Sequence, residues 1–195
     1  LPKRSMFERY YNTYYRFVLE SLYDAGATVK LAGESSIGDG RFTILLNDTT
    51  IALDYSDHLT LSDNVAEQPW YFKFHYSKAK HGQFENVYPL SPISFYNWHN
   101  YRTLAASLQY SAKGNTVVAR QKPHGNALQR RNTVQRTLQH LEAYNVLTKS
   151  VAQHQFWQEA GTCLASVCVP GFRNDILDRG QWQYMGLGAC TISPP

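Results

Sequence analysis

The C-terminal half of the chain alternates between short apolar segments and longer helical patterns, and this alternation constrains the fold most strongly. From residue 111 onward the predicted order is β-α-β-α-β-α-β. The predicted strands cover residues 115–121, 145–148, 166–169 and 189–193, and the predicted helices cover residues 127–144, residues 153–161 and a short segment beginning near Arg179. Helical crossovers of this kind join parallel strands. The pattern therefore predicts an α/β lobe built on a parallel sheet.

The N-terminal half also mixes helices and strands. Helices are predicted over residues 5–24, where Gly26 closes the helix, and over residues 95–110. Strands are predicted over residues 28–31, 42–46, 51–55, 70–76 and 87–92, with Asn47-Asp48 as a turn signal. The proline-containing stretch from residue 88 to residue 101 is the best lobe boundary, and it gives lobes of residues 1–95 and 96–195.

The first predicted helix has no strand before it, although a βαβ fold normally begins with one. This fits either a domain taken from a longer polypeptide or a compact version of the fold. The helix predicted over residues 127–144 shows the clearest amphipathic pattern. Its apolar stripe of Leu128, Val134, Leu138 and Leu141 is predicted to face the core.

Composition narrows the function classes. The formal charge of +4 suits a phosphate-bearing ligand, and it does not demand nucleic acid. The cluster of Arg130, Arg131 and Arg136 on one predicted helix keeps a nucleic-acid-binding domain as an alternative, although no recognised binding module is present. No signal peptide and no apolar stretch of about 18 residues occurs, so a membrane span is not expected.

The cysteines and histidines give no sign of a metal or disulfide site. Cys163, Cys168 and Cys190 lie in apolar, strand-like segments, and we expect all three to be small buried residues. Three cysteines form no disulfide framework, so a reducing, cytoplasmic location is the default expectation. The histidine spacings match no zinc pattern, and we expect no metal site.

The most specific motif lies between Val169 and Pro194. A strand ends at Val-Pro-Gly, and a polar loop with Arg173 and Arg179 at its two ends leads into a short helix. That helix ends on small residues at Gly186 and Gly188, and the apolar strand Ala-Cys-Thr-Ile-Ser follows and is predicted to be buried. A helix N-terminus at the carboxyl ends of parallel strands is where open α/β sheets bind anions.

This segment resembles the C-terminal donor-binding motif of GT-B glycosyltransferases related to glycosyltransferase family 1. The resemblance covers roughly the last 30 residues of the chain. It implies two small Rossmann-like lobes with parallel sheets, an acceptor-side lobe followed by a lobe that binds a nucleotide sugar. The implied activity is hexosyl or deoxyhexosyl transfer from a nucleotide diphosphate sugar to a hydroxyl of a glycan acceptor. UDP is the preferred nucleotide over GDP, and no cofactor is expected. The sequence contains no Asp-x-Asp motif, which argues against a metal-dependent transferase.

The resemblance also assigns donor-binding residues. It places phosphate contacts at Arg120 and Lys122, which follow a predicted strand, and at Arg173 and Arg179 in the last loop. These cations would neutralise the leaving diphosphate. The family's ribose-binding glutamate is replaced here by Gln183, which can donate and accept but lacks the charge.

Two glycines complete the implied donor site. Gly171 and Gly186 would let the backbone approach the donor. Because Gln183 departs from the family pattern, a non-catalytic function stays open. In that alternative the lobe binds a nucleotide, or another domain of the same polypeptide, and does not transfer a sugar.

A catalytic base is needed only if the reaction inverts the sugar configuration. Such a base would deprotonate the acceptor hydroxyl, and it would come from the N-terminal lobe. Asp54, Asp57 and His58 cluster after a predicted strand and are the candidates, with Glu34 and Asp39 as rivals. A retaining mechanism would require none of them, and the sequence does not choose.

Overall fold

The computed structural model describes residues 15–31, 40–56, 58–90, 98–123, 125–170 and 179–193. The chain divides into two units, Leu1–Tyr101 and Arg102–Pro195. Each unit contains its own sheet: the first is mixed and the second is all parallel. The class is therefore α/β, and the prediction of a parallel sheet in both halves is wrong for the first half.

The first sheet has the strand order β1-β2-β3-β4-β5. The strands are β1 (Val29–Leu31), β2 (Arg41–Leu46), β3 (Thr49–Asp54), β4 (Trp70–Lys73) and β5 (Val87–Pro89). β1, β2 and β3 pair antiparallel, whereas β3, β4 and β5 pair parallel. The sequence predicted the position of every strand in this sheet to within a few residues. It did not predict that β1, β2 and β3 are antiparallel.

The turn between β2 and β3 explains the antiparallel pairing. Asn47 and Asp48 both have positive φ, 47° and 67°. Two consecutive left-handed residues form the type I′ turn that matches the twist of a two-residue hairpin. Asn47 also binds Thr28, which directly precedes β1. Asn47 Oδ1 accepts from the Thr28 backbone N–H at 3.1 Å, and the Asn47 backbone N–H donates to the Thr28 carbonyl. This turn signal therefore excludes the crossover connection that a parallel pair would need.

Helix α1 (Arg16–Asp24) packs against one face of this sheet. Its apolar side chains contact a cluster of buried residues on β2, on β3 and directly after β3: Phe42, Ile44, Leu53 and Tyr55. Gly26 follows α1 with φ +81°, which confirms the predicted C-terminal glycine. The short helix α2 (Lys78–His81) also belongs to this unit.

The second sheet is all parallel, as predicted, with the strand order β7-β6-β8-β9. The strands are β6 (Thr116–Val118), β7 (Asn145–Leu147), β8 (Ala165–Val167) and β9 (Cys190–Ile192). Helices α4 (Leu128–Leu138), α5 (Gln153–Thr162) and α6 (Arg179–Gly186) alternate with them, after α3 (Trp98–Leu108), within which the chain divides. After β6 the chain forms β7 on one side of β6, and it then forms β8 on the opposite side of β6.

Helix α4 does not bury the predicted apolar stripe. Leu128 is 50% exposed, and Leu141 lies beyond the helix end and is 39% exposed. Arg131 is the buried residue of this helix. The prediction of a buried apolar stripe is wrong because α4 packs a polar face toward the strand ends. Side chains on that face donate hydrogen bonds to backbone carbonyls.

The last strand is an edge strand and is not buried. Ile192 is 51% exposed, and Cys190 is exposed as well. The prediction that all three cysteines are buried is therefore wrong for Cys190. Among the described strands, β9 pairs only with β8. The apolar composition of β9 does not reveal this edge position.

Thiol labelling of the folded protein should distinguish the three cysteines. We expect Cys190 to react rapidly with an aromatic disulfide reagent, and Cys163 and Cys168 to react only after denaturation, because both are fully buried. Burial also raises the pKa of the Cys163 thiol to about 11, although the Lys113 ammonium opposes this shift. Cys190→Ser should abolish the fast phase, whereas rapid labelling of all three thiols would contradict the packing of this unit.

Candidate functional site

The carboxyl ends of β6 and β8 form the topological switch point of the second sheet. These strands are neighbours, but the chain leaves them toward opposite sides of the sheet. Open α/β sheets bind ligands in the crevice at such a point. Helices α4, α5 and α6 each follow a parallel strand, so their N-termini lie toward the same edge.

The described segments after β6, β7 and β8 are basic. Residues 119–123, 125–131, 148–153 and 168–170 contain no acidic residue. They contain five basic residues: Arg120, Lys122, Arg130, Arg131 and Lys149. This edge therefore has the charge and the helix N-termini that suit an anion.

The cation closest to the end of β6 is already compensated. The Arg120 side chain is only 7% exposed, and its Nη2 lies 2.6 Å from Glu159 Oε2 on α5. Its Nη1 donates to the Lys149 carbonyl after β7. Arg120 therefore fastens α5 and the β7 loop to the end of β6. Lys122, two residues later, has an exposed side chain and is available to a ligand.

Three side chains of α4 hold the strand ends together. Arg131 donates to the Val169 carbonyl at 3.1 and 3.0 Å, and to the Lys122 carbonyl at 2.9 Å. Gln135 donates to the Ala119 and Gln121 carbonyls at 2.7 and 3.0 Å. Arg130 reaches the Pro170 carbonyl at 3.3 Å.

Sequence reasoning missed these residues as parts of the site. The spacing of Arg131 and Gln135, four residues apart on the helix after a strand, was the available signal.

The other predicted donor-binding residues have different positions. Gly171 and Arg173 lie outside the described residues. Arg179 is the first residue of α6, and Gly186 is the last. Gln183 is buried, with 8% of its surface exposed. The structure thus brings Arg120 and Lys122 to the switch point, and it sets Gln183 on the helix before β9.

The candidate bases lie in the first unit, where Asp54 is part of a buried network. Asp54 is 1% exposed, and Lys73 Nζ, fully buried, lies 3.1 Å from its Oδ1. Asp54 also accepts from the Ser56 amide at 2.8 Å, the Tyr71 hydroxyl at 2.6 Å and Arg41 Nε at 3.1 Å. Lys73 completes its bonds on the Ser56 carbonyl and hydroxyl.

The electrostatics of this network argue against Asp54 as a base. Burial alone would raise the pKa of Asp54, but the Lys73 ammonium and the hydrogen bonds from Ser56 and Tyr71 hold that pKa below its usual value. Burial and the Asp54 carboxylate raise the pKa of Tyr71 to about 12. A carboxylate with these partners does not readily take a proton, and its removal would leave the Lys73 ammonium buried without this counter-charge.

The other candidate bases differ in what is known of them. Asp57, Glu34 and Asp39 lie outside the described residues. His58 is described, and it is exposed. A pocket with a volume of about 40 Å³ adjoins the Asp54 network, lined in part by Arg41, Ser62, Asn64 and Gln68. That volume holds a few water molecules at most, so it is no nucleotide site.

The described parts of the chain contain neither a cluster of metal ligands nor a membrane-spanning helix. No three histidine, cysteine or acidic side chains there are grouped so that they could bind a metal ion. Among the same residues, no helix combines the length and the apolar character needed to cross a bilayer. Neither a protein-family model, nor a curated protein, nor a solved structure matches this chain.

Proposed function

We propose that this chain is a glycosyltransferase whose second unit binds a nucleotide diphosphate sugar at the carboxyl ends of β6 and β8. One observation carries the proposal: the strand order β7-β6-β8-β9 creates a switch point, and the described segments around it contain five basic residues and no acidic residue. A diphosphate is the common ligand group that most needs such an edge. The resemblance of residues 169–194 supports the sugar-transfer chemistry.

Within this proposal the basic residues have separate roles. Lys122 is exposed and Arg130 is partly exposed, so they contact the phosphates. Arg120 is neutralised by Glu159, and its main role is to position the loops after β6 and β7. Arg173 and Arg179 remain donor contacts that the resemblance implies. UDP is the preferred nucleotide, and His58 is the candidate base for an inverting reaction.

A charge reversal at Lys122 tests the donor site. We expect Lys122→Glu to weaken the binding of UDP or a UDP-sugar about 10- to 100-fold, because a hydrogen bond to a charged group contributes about 1.5–3 kcal/mol. Calorimetric titration measures the dissociation constant with and without Mg²⁺, and we expect binding without the metal. Lys80→Glu makes the same charge change on an exposed residue of α2 in the first unit, and it should bind like the wild type.

The alternatives give different results in the same experiments. A nucleic-acid-binding domain would bind oligonucleotides with an affinity that falls steeply with salt, and it would show no preference for nucleotide sugars. A non-catalytic lobe would bind the nucleotide but would neither transfer nor hydrolyse the sugar. No binding to UDP, GDP, CDP or dTDP or to their sugar conjugates would overturn the proposal.

A further inference from the structure

Gln121 lies at the centre of the switch point, three residues beyond the end of β6. Its side chain crosses to the segment after β8, where Oε1 accepts a hydrogen bond from the Val169 amide. Gln121, like Arg131, therefore links the segments after β6 and β8, the two neighbouring strands from which the chain continues toward opposite sides of the sheet. It was not among the residues that the sequence indicated.

The bond to Val169 fixes the orientation of the Gln121 amide. A backbone N–H can bind only the oxygen of a carboxamide, so the Nε2 group must point the other way. Nε2 is buried and has no hydrogen-bond partner among the described residues. A buried donor without an acceptor is unfavourable, and it marks a place where water or a ligand binds.

The backbone acceptors at this edge of the sheet are already engaged. The carbonyls of Ala119, Gln121 and Lys122 after β6, and those of Val169 and Pro170 after β8, already accept from α4 side chains. The nearby cations Lys122 and Arg130 are donors as well. A ligand at this edge is therefore selected for its acceptors, and an oxyanion has acceptors only.

We infer that Gln121 Nε2 donates to an oxygen of the diphosphate, which makes Gln121 a specificity-determining residue of the ligand site. This inference rests on the proposed donor site and names a contact within it. The amide then orients the anion between the ends of β6 and β8, while Lys122 supplies charge.

The variant Gln121→Glu separates the two roles of this side chain. A glutamate keeps an oxygen that accepts from the Val169 amide, but it replaces the Nε2 donor by a second, negatively charged acceptor. We expect the affinity for UDP and for inorganic pyrophosphate to fall at least tenfold. Gln139→Glu makes the identical substitution at an exposed position at the C-terminal end of α4, away from the strand ends, and it should bind within about twofold of the wild type because screening weakens a distant surface charge.

A second measurement uses the wild-type protein and does not depend on the stability of a variant. The side-chain amide resonances of Gln121, assigned by their absence in Gln121→Glu or in Gln121→Met, should shift when pyrophosphate is added. Saturation of that shift should give the dissociation constant found by calorimetry. Uridine, which lacks phosphate, should not move these resonances.

The outcomes distinguish this inference from the proposed function. If UDP binds and Lys122→Glu weakens it, but Gln121→Glu binds like the wild type, the role of Gln121 is overturned and the donor site stands. Equal losses in Gln121→Glu and Gln139→Glu would reduce the effect to net charge and would also overturn it. A shift of the Gln121 amide with uridine alone would assign the contact to the base. If no nucleotide binds to the wild type, both proposals fail.

Discussion

Asp54→Ala is expected to destabilise the first unit by about 3–5 kcal/mol, the typical cost of removing one partner of a buried ion pair. The substitution removes the acceptor of the Ser56 amide, the Tyr71 hydroxyl and Arg41 Nε. It also leaves the Lys73 ammonium, fully buried, without its carboxylate. Urea unfolding followed by tryptophan fluorescence and circular dichroism measures the change in free energy.

An exposed carboxylate provides the control for Asp54. Asp63→Ala changes the same charge in the same unit, but Asp63 is exposed, and we expect a change within about 0.5 kcal/mol. The stability of both variants is compared with that of the wild type at the same temperature. Unchanged stability of Asp54→Ala would mean that the network is solvated and that Asp54 is again a candidate base.

Gly188→Ala is expected to destabilise the second unit by about 2–5 kcal/mol. Gly188 has φ +76°, and an L-residue in the left-handed region costs roughly 1–2 kcal/mol. A Cβ at this position would lie 2.6 Å from the Gln109 carbonyl oxygen, which belongs to the backbone and cannot rotate away. Relieving that overlap costs a further ~1–3 kcal/mol.

Gly125→Ala separates the two contributions at Gly188. Gly125 lies in the same unit with φ +52°, but no heavy atom lies within 4 Å of a Cβ placed there. This variant should therefore show only the conformational part, about 1–2 kcal/mol. Thermal unfolding of the two variants gives the difference, and equal losses in both would refute the steric part.

Much of the fold is visible in the sequence because its signals are local. The strand and helix alternation after residue 111 predicted a parallel sheet, and the structure confirms it. The mixed first sheet was missed because an apolar segment such as residues 51–55 shows that a strand forms, and not which neighbour it pairs with. The Asn47-Asp48 turn held that information, since only a hairpin uses both residues with positive φ.

The candidate site was less predictable because its contacts join distant residues. Arg120 and Lys122 were predicted from their position after a strand, which is a local signal. The bond that Arg131 donates to the Val169 carbonyl spans 38 residues, and the bond that the Val169 amide donates to Gln121 Oε1 spans 48. Those contacts depend on the strand order, which no local pattern encodes. Likewise, the ion pair of Asp54 with Lys73 follows from the parallel register of β3 with β4.

The two sheets differ in the sequence separation of their paired strands, and this difference affects the rate of folding. In the first unit β2 and β3 are joined by a two-residue turn, so their pairing closes a short loop. In the second unit β6 and β8 pair Val117 with Ala165, 48 residues apart. Non-local pairings of this kind slow folding, because loop-closure entropy is lost before the contacts form. The hairpin is therefore expected to form early, and the junction of β6 and β8 in the second unit is expected to form only after its slowest loop closure.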